Sequence, residues 1–154
     1  MQRTRREFLK STSGLIGLLL AAGFLRPEDV CAQEWSQAAF ATKSLEDLVK
    51  LLGGSGAQES AEVAIVAPDI AENGAVVPIG VVSKLAKTES IAILVEKNPN
   101  VLAATFTLPE GTLPDLQTRV KMAQTSNVFA LVKAGGKFFY AAKEIKITLG
   151  GCGG

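Results

Sequence analysis

Apolar and polar positions follow different rhythms along this chain. Residues 13–25, SGLIGLLLAAGFL, form an almost unbroken apolar run after the basic stretch TRREFLK at 4–10. Further on, Leu45, Leu48, Val49 and Leu52 recur at the i, i+3, i+4, i+7 spacing of one helical face. Ser44 is a suitable N-cap for that helix, Glu46 and Asp47 stand in its first turn, and Gly53-Gly54 marks its stop. The spacing therefore predicts a helix over about 44–52, which Trp35 and Phe40 upstream would extend. Its apolar face is expected to cover a sheet.

After Ser60 the pattern becomes short β-rich runs separated by turn signals. AEVAIVA at 61–67 leads through PDIAENGA to VVPIGVVS at 76–83. SIAILVE at 90–96 and VLAATFTL at 101–108 flank the turn KNPN, and PEGTLP leads into LQTRVKM at 116–122. There Leu116, Thr118, Val120 and Met122 alternate with Gln117, Arg119 and Lys121. VFALVK at 128–133 and FFYAA at 138–142 flank a hairpin turn at Gly135-Gly136. In EIKITL at 144–149, Ile145, Ile147 and Leu149 point one way and Glu144, Lys146 and Thr148 the other. About seven strands in roughly 90 residues, with no βαβ rhythm, predict a mainly β fold: an immunoglobulin-like antiparallel β-sandwich with an N-terminal helix. The Cys–Trp–Cys triplet of antibody domains is absent, so only the architecture is implied. Met122, Phe129, Phe138, Phe139 and Tyr140 read as core or interface residues.

Composition narrows the chemistry. The chain has 154 residues, enough for one domain, a formal charge of +1, two cysteines and no histidine. Without a basic surplus, nucleic acid is not an expected partner. Without histidine, Ser-His-Asp and Cys-His catalysis are excluded, together with the usual imidazole-ligated metal sites. No cofactor or metal is expected.

The first 32 residues read as an export signal. Their apolar run is too short to span a bilayer and suits a signal-peptide core. Arg5 and Arg6, followed by Phe8, Leu9 and Lys10, resemble the twin-arginine pattern that exports folded proteins. Cleavage is placed after Ala32, giving a periplasmic chain with no remaining membrane segment. A membrane anchor is the alternative reading, opposed by the length of the run. Cys31 as a lipidation site is opposed by the acidic residues of PEDVC. Removal of residues 1–32 leaves 11 basic and 12 acidic residues and a single cysteine, Cys152. A lone thiol in an oxidising compartment is unusual, which singles out Cys152.

Cys152 stands within the terminal run Gly150-Gly151-Cys152-Gly153-Gly154, three residues beyond the last predicted strand. That spacing gives a reach of roughly 10 Å. Glycines allow nearly any backbone conformation and leave the tail slim enough for a narrow channel. Nothing in the local sequence would activate the thiol: no histidine, no cation beside it, and a terminal carboxylate nearby. Residues 150–154 thus read as a flexible arm presenting a bound group to other proteins' active sites. Cys152 is its attachment point, and the chain is a carrier with no catalytic residues of its own. Several alternatives stand beside this. The tail is an incidental disordered end, or Cys152 forms an intermolecular disulfide in a redox or interaction protein. Prenylation is opposed by the position of Cys152. A ubiquitin-like C-terminal thiocarboxylate, suggested by Gly153-Gly154, is opposed by the export signal.

Taken together, the twin-arginine signal, VAPDIAENGAVVPIGV (66–81), RVKMAQTSNVFALV (119–132) and KITLGGCGG (146–154) resemble the SoxY family of the bacterial thiosulfate-oxidising system. The resemblance spans essentially the whole chain, and the terminal GGCGG behind an export signal is its most specific part. It implies that Cys152 carries sulfur covalently, first as a cysteine S-thiosulfonate and then as sulfane adducts. It also implies a heterodimer with a SoxZ-like subunit. A c-type cytochrome would load the thiol, a hydrolase would release sulfate, and a sulfane-oxidising enzyme would act on the remaining sulfur.

Overall fold

The computed structural model describes residues 37–148. Among these residues two short helices come first: α1 (Gln37–Phe40) and α2 (Leu45–Leu51). Ser44 caps α2 as its sequence predicts, its hydroxyl accepting the Asp47 amide at 3.1 Å. Leu48 and Val49 are buried, whereas Leu52 lies at the C-cap, 47% exposed, so the apolar face ends a turn earlier than its spacing suggests. Phe40 does not lengthen α2. The chain leaves the helical path after Phe40, where Thr42 Oγ1 donates to the Ala39 carbonyl at 2.7 Å. Trp35 lies outside the described residues.

Nine strands follow among the described residues: β1 (Ala57–Glu59), β2 (Val63–Val66), β3 (Ile70–Ala71), β4 (Val77–Ser83), β5 (Thr88–Val95), β6 (Leu102–Thr107), β7 (Asp115–Val120), β8 (Ser126–Ala134) and β9 (Lys137–Ile147). The larger sheet runs β1-β9-β8-β5-β6, with β3 also on β9. The smaller runs β2-β4-β7. All the long ladders are antiparallel, in agreement with the expected sandwich. Two short pairings are parallel and were not visible in the side-chain pattern: Ala57–Glu59 beside Phe138–Tyr140, and Ile70–Ala71 beside Lys146–Ile147. The predicted runs 138–142 and 144–149 are one strand of 11 residues, because no glycine or proline interrupts 137–147.

The order of side chains on the two central strands explains the layering. On β5, Ile91, Ile93 and Val95 face the smaller sheet, while Ala92 and Leu94 face the other way. On β8, Val128, Ala130, Val132 and Ala134 join the first group, and Leu131 and Phe129 the second. The first core, between the sheets, is completed by Val77, Ile79 and Val81 of β4, with Met122 and Ile145. The second, between the larger sheet and the helical layer, holds Ala39, Leu48, Val49, Val101, Leu102 and Phe138. Tyr140 stands edge-on to Phe129 there, with ring centroids 6.2 Å apart. Residues 91–95 are buried on both faces, which is why they read as an unbroken apolar run.

The β8–β9 hairpin turns at Gly135 and Gly136, whose φ angles of 55° and 75° suit a primed turn and disfavour other residues. Glu89 braces this turn by pairing with Lys133 at 3.0 Å and accepting the Gly136 amide at 3.1 Å. The Lys133 hydrogen bond and then the Gly136 amide hold its carboxyl below the ordinary range.

Ile93→Ala should cost about 2–5 kcal/mol in denaturant unfolding, because it opens a cavity in a fully buried layer. Thr105→Ala on the exposed face of β6 should change stability by less than about 0.5 kcal/mol.

Candidate functional site

The residues with predicted roles lie outside the described part of the chain. These are Cys152 with Gly150, Gly151, Gly153 and Gly154, and at the other end Arg5, Arg6 and Ala32. The structure does describe the foundation from which the GGCGG run departs, as far as Thr148. Three consecutive backbone amides are engaged at the end of β9. Lys146 N–H donates to the Asp69 carbonyl at 2.9 Å and Thr148 N–H to the Ala71 carbonyl at 3.1 Å, both on the β3 side. Ile147 N–H points the opposite way and donates to Thr125 Oγ1 at 2.9 Å. Here a side-chain hydroxyl continues the β8 ladder past Ser126, the first residue of that strand.

The segment around Asn73 is built to fit beneath this end. Asn73 Oδ1 accepts the Ala75 amide at 2.9 Å, closing a tight turn at Asn73-Gly74. Gly74 then comes so close to the neighbouring chain that an added Cβ would lie 2.4 Å from the Met122 carbonyl oxygen and 3.2 Å from Ile147 Cγ2. In the same contact Met122 N–H donates to the Gly74 carbonyl at 2.7 Å. Glycine is required by space here, not by its φ angle. Ala71 is buried beside it, while Ile70 remains 56% exposed.

Residues 121–127 are held from behind by the turn after β5. Asn98 Nδ2 donates to the Lys121 carbonyl at 2.7 Å, and its Oδ1 accepts the Ala123 amide at 3.1 Å. Ser126, almost fully buried, accepts the Lys97 amide through Oγ at 3.0 Å. Three stretches far apart in sequence, 69–75, 121–126 and 145–148, thus converge on one end of the sandwich. The resemblance drew on parts of all three. Their meeting point went unrecognised in the sequence, because it is made by backbone groups and one threonine hydroxyl.

Lys143 is a second feature that side-chain patterning missed. Alternation along β9 puts it on the face of Ala141 and Ile145, toward the core. It lies where the chain crosses from β2 to β3, and its ammonium group donates to the Ala67 carbonyl and pairs with Asp69 at 3.0 Å. The lysine therefore closes the stretch of β9 between the β1 and β3 pairings. Asp69 serves twice, through its carboxylate to Lys143 and its carbonyl to Lys146. Among the described residues, no three or more His, Cys, Asp or Glu side chains come together to hold a metal ion.

Gly74→Ala should destabilise the domain by about 1–3 kcal/mol, since either the Asn73 turn or the Met122 backbone must shift. Gly56→Ala, where a Cβ meets open space, should change the same denaturant midpoint little.

Comparison with known proteins agrees with this architecture. The family model described as "Sulfur oxidation protein SoxY" matches residues 48–152. The solved sulfur carrier protein SoxY from Chlorobium limicola f thiosulfatophilum is 35% identical with a TM-score of 0.61. The match covers 68% of this chain and 94% of that one. A superoxide reductase (neelaredoxin) from Ignicoccus hospitalis is 18% identical with a TM-score of 0.47, over 56% of this chain and 80% of that one. No match arises among curated protein sequences. A matched span that holds the sandwich, the foundation of the last strand and Cys152 itself settles the family: this chain belongs to the SoxY family of sulfur oxidation proteins.

Proposed function

We propose that the protein is a periplasmic sulfur carrier that holds thiosulfate-derived sulfur on Cys152 and presents it to partner enzymes. The observation that carries this reading is the extent of the family match, which runs through the sandwich and ends on Cys152. The geometry supports it. A strand engaged at three successive amides gives a firm base for the short GGCGG run, and glycines beyond that base make a slim, adaptable arm. Gly150, Gly151, Gly153 and Gly154 form the arm, and Arg5 and Arg6 address the chain to twin-arginine export with cleavage after Ala32.

The chemistry on Cys152 follows from sulfur exchange. In the loading step the cysteine sulfur bonds to the outer sulfur of thiosulfate. The thiol proton is released, and two electrons pass to a c-type cytochrome partner. In the next step a hydrolase directs water to the sulfonate sulfur. The sulfur–sulfur bond to that atom breaks, sulfate and protons leave, and a persulfide remains on Cys152. A sulfane-oxidising partner acts on that persulfide. The carrier contributes the thiol and its presentation, and the partners contribute the catalysis. A SoxZ-like subunit completes the carrier as a heterodimer.

Intact-mass analysis of the protein from cells grown on thiosulfate should reveal sulfane or sulfonate adducts on the C-terminal peptide, released by reductant. Cys152→Ser should lose all of them while leaving the thermal midpoint within about 2 °C, since the residue lies beyond the last strand. A protein–protein disulfide through Cys152 as the only modified species would instead identify a redox or interaction protein.

A further inference from the structure

We infer that Thr125 is a positioning residue for the carrier arm, fixing the point at which the arm leaves the domain. The inference deepens the carrier reading and rests on it for its meaning, though its geometry is independent of sulfur. Toward the end of β9 the ladder to β8 gives out: the last paired residues are Ser126 and Ile145. Among the described residues no strand stands beside the next amide directed to that side, Ile147 N–H, which is taken up by Thr125 Oγ1 at 2.9 Å. Among the described residues, the opposite edge at this point carries only the two-residue strand β3, with its Ile70 side chain largely exposed. A two-residue parallel pairing is a weak fastening, so the hydroxyl decides whether β9 is gripped from one edge or from two.

The consequence is a limit on reach. From a pivot at Thr148, the four residue steps to Cys152 span at most about 14 Å. Loss of the Thr125 contact releases Ile147 on one side and leaves the end of β9 held by its two backbone bonds to the β3 side; whenever these open, nothing on the β8 side retains the strand and the pivot retreats toward Ile145. Three further residues then join the arm and lengthen the maximum reach by about 10 Å. A longer, looser tether lowers the effective concentration of the thiol at any one docked active site. Thr125 therefore sets how sharply the arm is aimed. Its surroundings fit that use: the segment carrying it is fixed by Asn98 and Ser126 on one side and by Gly74 on the other.

The test uses the full chain carrying Cys31→Ser and Lys137→Cys, with nitroxides on Cys152 and on the new cysteine in the exposed hairpin. Pulsed EPR distances between the labels are read beside hydrogen exchange of the Ile147 and Thr148 amides. Thr125→Val should broaden the distance distribution toward longer values and speed exchange at both amides on the order of tenfold, the effect of losing one net hydrogen bond. Exchange at Ile93 should stay unchanged. Thr125→Ser, which keeps the hydroxyl, should restore both readouts. An unchanged distance distribution in Thr125→Val overturns the proposal even if exchange accelerates, because the residue is then merely structural. So does failure of the serine variant to restore the distances. Should the valine variant fail to fold, the unmodified chain still decides: an Ile147 amide exchanging at the unprotected rate overturns the proposal. None of these readouts requires sulfur on Cys152, so failure of sulfur loading in cells would count against the carrier reading alone.

Discussion

Burial of one strand pair on both faces is the constraint on which the rest of the domain depends. β5 and β8 lie side by side at the centre of the larger sheet, and their alternating side chains supply two cores at once. One face must be covered by the three-stranded sheet and the other by helices. Each fully buried aliphatic side chain there contributes about 1.5–3 kcal/mol from removal of apolar surface alone. Neither cover is optional, so the position of every neighbouring strand follows from this pair.

β9 inherits its place from that arrangement, being the next strand out from β8. It carries a more difficult task, because its far edge would be open and its end leads into the GGCGG run. The edge is closed piecewise, by β1 at one end, β3 at the other, and the Lys143 ammonium between them. A charged group on the inward row is tolerable because it lies at the mouth of the sandwich and meets a carbonyl and a carboxylate. Short parallel additions and a lysine also block the pairing of a foreign strand along this edge. The chain therefore changes abruptly at its end, from a strand engaged on both sides to a run of glycines.

Much of the scaffold was legible in the sequence for identifiable reasons. α2 declared itself through Ser44, its acidic first turn and the 3.6-residue period. The Gly135-Gly136 hairpin declared itself through residues that accept positive φ. β4, β5 and β8 were visible as apolar runs because most of their side chains are buried, and β7 through the alternation of its side chains. β1 and β3 were not, since they are held by backbone bonds to β9 and bury little. Their parallel orientation leaves no local signal either, the partner residues being far away in the chain. Gly74 lay within one of the segments of the resemblance, but its close approach to Met122 depends on a neighbour 48 positions later. The expectation for Cys152 has a different basis. It rests on what the sequence lacks, histidine and any second cysteine after position 31, and that is a property of sequence alone.

The parallel pairings of β9 also bear on how the domain is assembled. Ala57 meets Phe138 and Ile70 meets Lys146, partners roughly eighty residues apart, so these contacts close the largest loops among the strand pairings of the described residues. A chain emerging from the ribosome can gather β2, β4 and β7, but it cannot seat β1 or β3 until its final strand is free. Completion of the larger sheet therefore waits for the strand nearest the C-terminal end of the described residues, so both covers of the β5–β8 pair can be gathered before the edge of β9 is closed.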